Sequence, residues 1–320
     1  MKEAQVFKKH ALRLLFLVGG MAGQIACTGA QAELRTEAPL AHTEIERMVQ
    51  AQYAAIERGD LTAWASAFST DVLLLGTDPT EVMLGREAML TQMNQRAGSR
   101  MAAEVRRKYR STRLQIGIAP SGKAAFLADE IDYSLTSATT NRQVRFRMSG
   151  VAAFQNGRWE ITVAHFSVPV EDERAFATTW PIPNELPART PSGAEEIAAL
   201  FPRTAQAHFP VPFSDRKDVL LIGTSAQEWI STGTKVQQFT RQGMPRSIEV
   251  LRRGELTVGT TEGADLAWVA WNASLTVTGS KGKHAPLPVR VLSVLLREKT
   301  PCSTSHGISS SWAVVMGAMW

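Results

Sequence analysis

The run Asp71-Val72-Leu73-Leu74-Leu75-Gly76-Thr77 returns as Asp218-Val219-Leu220-Leu221-Ile222-Gly223-Thr224, and the same spacing of 147 positions sets Glu81 on Glu228. Recurrence at a fixed offset marks a chain assembled from repeated units. A length of 320 residues also exceeds what one core usually supports. Flanking features repeat in order. Thr43-Glu44-Ile45-Glu46 and Ser192-Gly193-Ala194-Glu195 both read as capping boxes, so each half is expected to open with a helix there. Ala125-Phe126-Leu127-Ala128 parallels Ala267-Trp268-Val269-Ala270, and the run 144–149 parallels 289–293 with one residue deleted. Between the halves stand Pro169, Pro181, Pro183, Pro187 and Pro191, a density that forbids a continuous helix or central strand. The expected organisation is therefore a first domain at 33–170, a Pro-rich linker at 171–191 and a second domain at 192–320.

Within the first half, Ile45, Met48, Val49, Gln52, Tyr53 and Ile56 follow helical spacing, and Gly59-Asp60 ends the pattern. A short helix at 61–68, an apolar strand at 72–75 and a third helix at 85–95 are expected next. Four long strands follow, at 104–118, 124–137, 142–155 and 158–168, the last pair joined by the hairpin turn Asn156-Gly157. Helices first and antiparallel strands afterwards predict an α+β fold: two tandem cone-shaped domains, each a curved antiparallel sheet wrapped around N-terminal helices.

The N-terminus carries Lys8, Lys9, His10 and Arg13, then Leu14-Leu15-Phe16-Leu17-Val18, small residues, and Ala30-Gln31-Ala32. That order predicts a signal peptide at 1–32, and hence a periplasmic or secreted protein. Ile25-Ala26-Cys27 leaves open a lipoprotein alternative, with membrane attachment only through Cys27. Removing residues 1–32 takes away four bases and one acid, so the formal charge falls from +5 to +2. The basic strand Arg106, Arg107, Lys108, Arg110 and Arg113 has only Tyr109 as an aromatic and reads as a solvated face; nucleic acid is not an expected partner. Cleavage leaves Cys302 as the lone cysteine, so stability must come from packing.

Gly76-Thr77-Asp78-Pro79-Thr80-Glu81, then Leu84-Gly85-Arg86-Glu87-Ala88, and the closing Trp159-Glu160-Ile161-Thr162-Val163-Ala164-His165-Phe166-Ser167 resemble the SnoaL-like branch of the nuclear transport factor 2-like superfamily, cystatin-like in layout, over about residues 43–170. The resemblance implies a cone with a cavity open at one end and frequent pairing through the sheet, either as a homodimer or between domains of one chain. The superfamily includes cyclases, isomerases and dehydratases as well as non-catalytic binding and assembly domains, so fold does not select function. The second half departs from the pattern. Pro202 interrupts its first helix, Gly223-Thr224-Ser225-Ala226 lacks the Asp-Pro pair, and no Trp-x-Ile strand falls where an offset of 144 would put it. Thr300 to Trp320 also lacks Asp, Glu, Lys and Arg, which predicts a degenerate or out-of-frame tail without the closing strand.

Strict alternation puts Trp159, Ile161, Val163, His165 and Ser167 on one inward face, making His165 a candidate orienting residue, with a hydrogen-bonded structural histidine as the alternative. Asp78, with Glu81, follows the first strand; Asp78 is either a cavity base or the start of a turn with Pro79. Asp129, sharing a face with Ile131 and Tyr133, is either an inward acid or a salt-bridge partner of Arg145 or Arg147, and Trp271 holds its place in the second half. Tyr53, Trp64, Tyr133 and Trp159 are the candidate ligand-binding residues, with core packing as the alternative. No metal or cofactor is expected. Three functions remain open: binding of a small apolar ligand in the first cone, a cofactor-independent isomerase or cyclase using Asp78 or Asp129 with His165, and an assembly module.

Overall fold

The computed structural model describes residues 34–97, 105–201, 204–206, 213–242, 248–263, 265–279, 282–299 and 310–319. The expected signal peptide, Cys27 and Cys302 lie outside them. In the first half, α1 (Leu34–Glu57) and α2 (Leu61–Ala65) precede β1 (Phe68–Leu75) and β2 (Val82–Leu84). Then come α3 (Arg86–Ala97), β3 (Arg106–Ile118), β4 (Ala124–Thr136), β5 (Asn141–Gln155) and β6 (Arg158–Ser167). Ala41, Ile45, Val49 and Tyr53, four residues apart, form the buried stripe of α1. That stripe already includes Ala41, so the helix does not begin at Thr43: it starts at Leu34 and Thr43 lies inside it. Asp60 caps α2 by accepting from the Ala63 N–H at 2.9 Å. The helix stops at Ala65, and Phe68 already belongs to β1.

The strands lie in the order β2-β1-β6-β5-β4-β3, antiparallel throughout except where β1 runs parallel to β6. One face of this curved sheet receives α1, burying Ile45, Val49, Leu127, Ile131, Met148 and Trp159 together. Trp64, Phe68, Val72, Leu74, Met83 and Met89 close the adjoining end, under α2 and α3.

After the short helix α4 (Asp172–Ala177), the second half contains α5 (Glu195–Ala199), β7 (Thr204–Gln206), β8 (Leu220–Ile222), β9 (Trp229–Ser231) and α6 (Gly233–Gln242). Its remaining strands are β10 (Ile248–Thr260), β11 (Leu266–Gly279), β12 (Gly282–Lys283), β13 (Leu287–Lys299) and β14 (Ser310–Met319). Read from β9, the sheet order is β9-β8-β14-β13-β11-β10-β7, the same path as the first sheet with β7 added at one edge. The expectation of a lost closing strand is overturned. Strand β14 pairs antiparallel with β13 and parallel with β8, as β6 does with β5 and β1. Ten residues separate β13 from β14 where the turn Asn156-Gly157 joins β5 to β6, so a fixed offset of 144 falls short of the strand. The opening helix has shrunk to five residues. Gly193 takes a φ of 83°, α5 starts from Ala194 without a side-chain cap, and the expected capping box at Ser192 does not form.

The face of the first sheet turned away from α1 packs on the second half. Leu73, Leu75, Phe126, Val151 and Val163 share one apolar core with Leu220, Trp268, Val291 and Val294. Within each sheet a glycine makes room for a ring of this core. A Cβ on Gly117 would lie 2.1 Å from the Phe126 ring, and one on Gly259 would lie 2.2 Å from the Trp268 ring.

Candidate functional site

Asp129 is the inward acid of the first cone. Its strand register sets it opposite Leu114 on β3 and Met148 on β5, and it is fully buried under α1. The Tyr53 hydroxyl donates to its Oδ2 at 2.8 Å, and the Ser111 hydroxyl donates to its Oδ1 at 2.8 Å. Burial pushes the Asp129 carboxyl above the usual carboxylate range, and the two hydroxyls with backbone N–H donors offset part of that rise. The Tyr53 phenol is pushed well up in turn, by burial first and then by the charge of Asp129. The salt-bridge alternative for Asp129 is not what forms. Arg145 and Arg110 both pair with Asp132, at 2.8 and 2.6 Å, and Arg147 turns to the opposite face of the sheet, 3.7 Å from Glu130.

An aromatic array leads from Asp129 toward the exposed end of β4 and start of β5. Tyr53 stacks on Tyr109 with ring centres 6.0 Å apart, and Tyr109 meets Tyr133 at 4.8 Å. Phe146 continues the array at 6.3 Å from Tyr133 and 6.1 Å from Phe166. Tyr109, Tyr133, Phe146 and Phe166 are half-buried, and Val144 beside them is exposed. Tyr53 and Tyr133, two of the four candidate ligand-binding residues, belong to this array. Trp64 and Trp159 do not. Trp64 packs edge-on to Phe68 in the core under α2, and Trp159 pins α1 by donating from Nε1 to Glu44 at 3.0 Å.

His165 does not face the cone. Ala152 pairs with Ile161 but Val151 pairs with Val163, so Thr162 is a β-bulge. One extra residue reverses alternation: Ile161 stays on the α1–α3 side, while Val163 and His165 point at the second half. Gly150 pairs with Ala164 just past the bulge, where a Cβ would come within 2.4 Å of the Val163 carbonyl. The His165 ring is buried with neither nitrogen hydrogen-bonded, and burial, with Arg290 next, holds its pKa at about 3.

Asp78 forms the turn. Its Oδ1 accepts from the Thr80 N–H at 2.8 Å and the Thr80 hydroxyl at 2.6 Å, and its own N–H donates to Glu81 Oε2 at 3.1 Å. Glu81 is the matching brace: the Gly76 N–H donates to its carbonyl at 2.9 Å, as the Gly223 N–H does to Glu228 at 2.8 Å. Asp78 is exposed, and the cavity-base reading of it is corrected.

In the second half the Tyr53–Asp129 pair has an apolar counterpart, Phe201 edge-on to Trp271 with ring centres 6.0 Å apart. The polar site is therefore a property of the first cone. Sequence reading missed Ser111, Tyr109 and Phe146 as parts of it. Ser111 and Tyr109 lay within a run dominated by cations, and only the strand register places both opposite Ile131 and Tyr133.

Residues 45–171 match the family model described as "SnoaL-like domain". This part of the chain is a SnoaL-like domain. Among solved structures, the chain is similar to an NTF2-like protein of unknown function from Pseudomonas putida KT2440, at 16% identity over 42% of this chain and 91% of that one, with a TM-score of 0.37. A Catenulispora acidiphila protein solved in complex with S-DNPA is 18% identical over 44% of this chain and 99% of its own, with a TM-score of 0.37. No curated protein matches the sequence. The match ends at residue 171, so the SnoaL-like domain holds Asp129 and its aromatic array while the second half lies beyond it. Among the described residues no three His, Cys, Asp or Glu side chains cluster as metal ligands, and no helix is long and apolar enough to cross a membrane.

Proposed function

We propose that the chain is an exported binding protein whose SnoaL-like domain takes a small apolar ligand at the open end of the first cone, against Tyr109, Tyr133 and Phe146. The observation that carries this reading is the separation of Asp129 from His165 onto opposite faces of the sheet. An acid and an orienting base on opposite faces cannot share one substrate, since proton transfer needs hydrogen-bond reach. The half-buried aromatic rings offer the apolar, partly solvated surface that small ligands favour. Asp129, fully buried and held by two hydroxyls, fixes the rings' base and lies behind them.

The isomerase or cyclase reading keeps one supporting observation, the raised pKa of Asp129. Catalysis by that carboxyl requires Tyr53 and Tyr109 to move aside. Assembly through the apolar sheet faces is disfavoured, because those of the two halves are packed on one another.

Native mass spectrometry of mature protein purified from its own host tests the proposal. A bound small molecule, lost in Phe146→Ala and kept in Phe201→Ala, supports it. Ligand-free protein, or a ligand retained in Phe146→Ala, contradicts it. Turnover of that molecule abolished by Asp129→Asn would favour the enzyme reading.

A further inference from the structure

The joint between the sheets buries two arginines and one histidine. Arg147 on β5 donates across the joint to the Gly223 carbonyl at 3.1 Å and the Ala226 carbonyl at 2.8 Å. Arg290 on β13 donates the other way, to the Pro79 carbonyl at 2.7 Å and the Glu81 carbonyl at 3.5 Å. His165 lies on the same joint, paired in register with Ser149 on β5 and Leu75 on β1, buried with neither ring nitrogen hydrogen-bonded and within the field of Arg290. We propose that His165 makes this joint an acid-released lock: the imidazole must stay neutral for Arg290 to remain seated on the turn of the first half.

The surrounding groups leave a protonated ring without compensation. Strand β14, which holds the place of β6 in the second sheet, has no ionisable residue from Ser310 to Met319. Strand β1 presents Leu73 and Leu75 to the joint, and Asn272 on β11, 3.5 Å from Arg290, is neutral. Of the carboxylates nearby, Glu130 is paired with Arg147, and Glu228 draws on the same guanidinium. Glu81 is engaged with the Asp78 N–H, and Asp78, engaged with Thr80, attracts Arg290. Both cations of the joint are already strained by burial: Arg147 is lowered, and Arg290 falls to about 10. A third positive charge buried beside these two is costly, because the carboxylates nearby are already engaged.

The direction with pH follows from linkage. His165 has a folded pKa of about 3, below the ordinary histidine value of about 6.5. Its neutral form therefore supports folding fully above about pH 6.5, and that support is lost as pH falls toward 3. At pH 4.5 the folding equilibrium drops about 100-fold on this account alone.

The test is urea unfolding of the full mature chain between pH 7.5 and 4.5, for wild type and His165→Leu. Wild type is expected to lose about 100-fold more in its folding equilibrium over that range than the variant. Parallel pH curves would overturn the proposal. Should His165→Leu not fold, the imidazole of wild type is followed by NMR: a ring that stays neutral to pH 4.5 in native protein supports the lock. A ring that titrates near its ordinary value while the Gly76 amide stays protected would overturn it.

Discussion

Arg147 and Arg290 occupy corresponding positions on β5 and β13, and each guanidinium caps a turn of the other half, Arg147 the one after β8 and Arg290 the one after β1. Arg147 pairs in register with Glu130 and Arg290 with Asn272, so the two are equivalent by strand pairing as well as by role. The turns are also equivalent, each closed by a glycine and a glutamate 147 positions apart, and a Cβ on Gly76 or Gly223 would collide with its glutamate. The linker reinforces one side: the Asn184 N–H donates to the Pro79 carbonyl at 3.0 Å, and the Asn272 amide donates to the Asn184 carbonyl at 2.8 Å.

Removing either guanidinium leaves buried carbonyls without their charged donor. Arg147→Ala and Arg290→Ala are each expected to cost about 3 kcal/mol, read as a shift in urea midpoint. Arg290→Ala should cost less than Arg147→Ala, because Asn184 still donates to Pro79. Equal, negligible losses would mean that the carbonyls are satisfied in another way.

Asp129 gives a pH dependence opposite in sign to that of His165. Its folded pKa is raised, so native protein binds the proton more readily than unfolded chain, and stability attributable to this group rises as pH falls through that raised value. Asp129→Asn is expected to be at least as stable as wild type at pH 7, with the difference shrinking by pH 4. Urea unfolding at the two pH values decides; a variant equally weakened at both would show that the carboxylate charge itself holds Tyr53 and Ser111.

Close approach of Gly117 to Phe126 predicts a rescue. Gly117→Ala forces a Cβ into the ring and should cost about 1–3 kcal/mol, and Phe126→Leu in the same chain should recover part of it. Non-additive thermal midpoints confirm the contact. Additive losses would place the ring elsewhere.

Export is tested by sequencing the mature protein from its host. A first residue of Glu33 is the expected result for cleavage after Ala32. An acylated Cys27 would assign the lipoprotein route, and an intact Met1 would remove export from the account.

The strands were legible because alternation and turn residues mark them directly: Asn156-Gly157 and the stretch around Pro120 bound strands that run within two residues of expectation. Counting along β4, which has no bulge against β5, puts Asp129 on the face of Ile131 and Tyr133 but leaves open whether it is an inward acid or an arginine's partner, which the register and burial decide. The same count fails for His165, because a bulge at Thr162 adds one residue without changing composition, and Gly150, paired with Ala164 just past it, does not by itself signal the shift. Arg147 was weighed as a partner for Asp129, since nothing along a single strand tells which buried face meets another domain. Strand β14 was missed because the longer connection before it shifts the offset.

The reciprocal clasp has one direct test, amide hydrogen exchange in Arg290→Ala and Arg147→Ala. Arg290 lies in the second half, yet its loss is predicted to speed exchange at Gly76 and Glu81 in the first, leaving Gly223 and Glu228 protected. Arg147→Ala should do the reverse. Faster exchange confined to the mutated half, or equal across both turns, would contradict the face-to-face pairing of the two sheets.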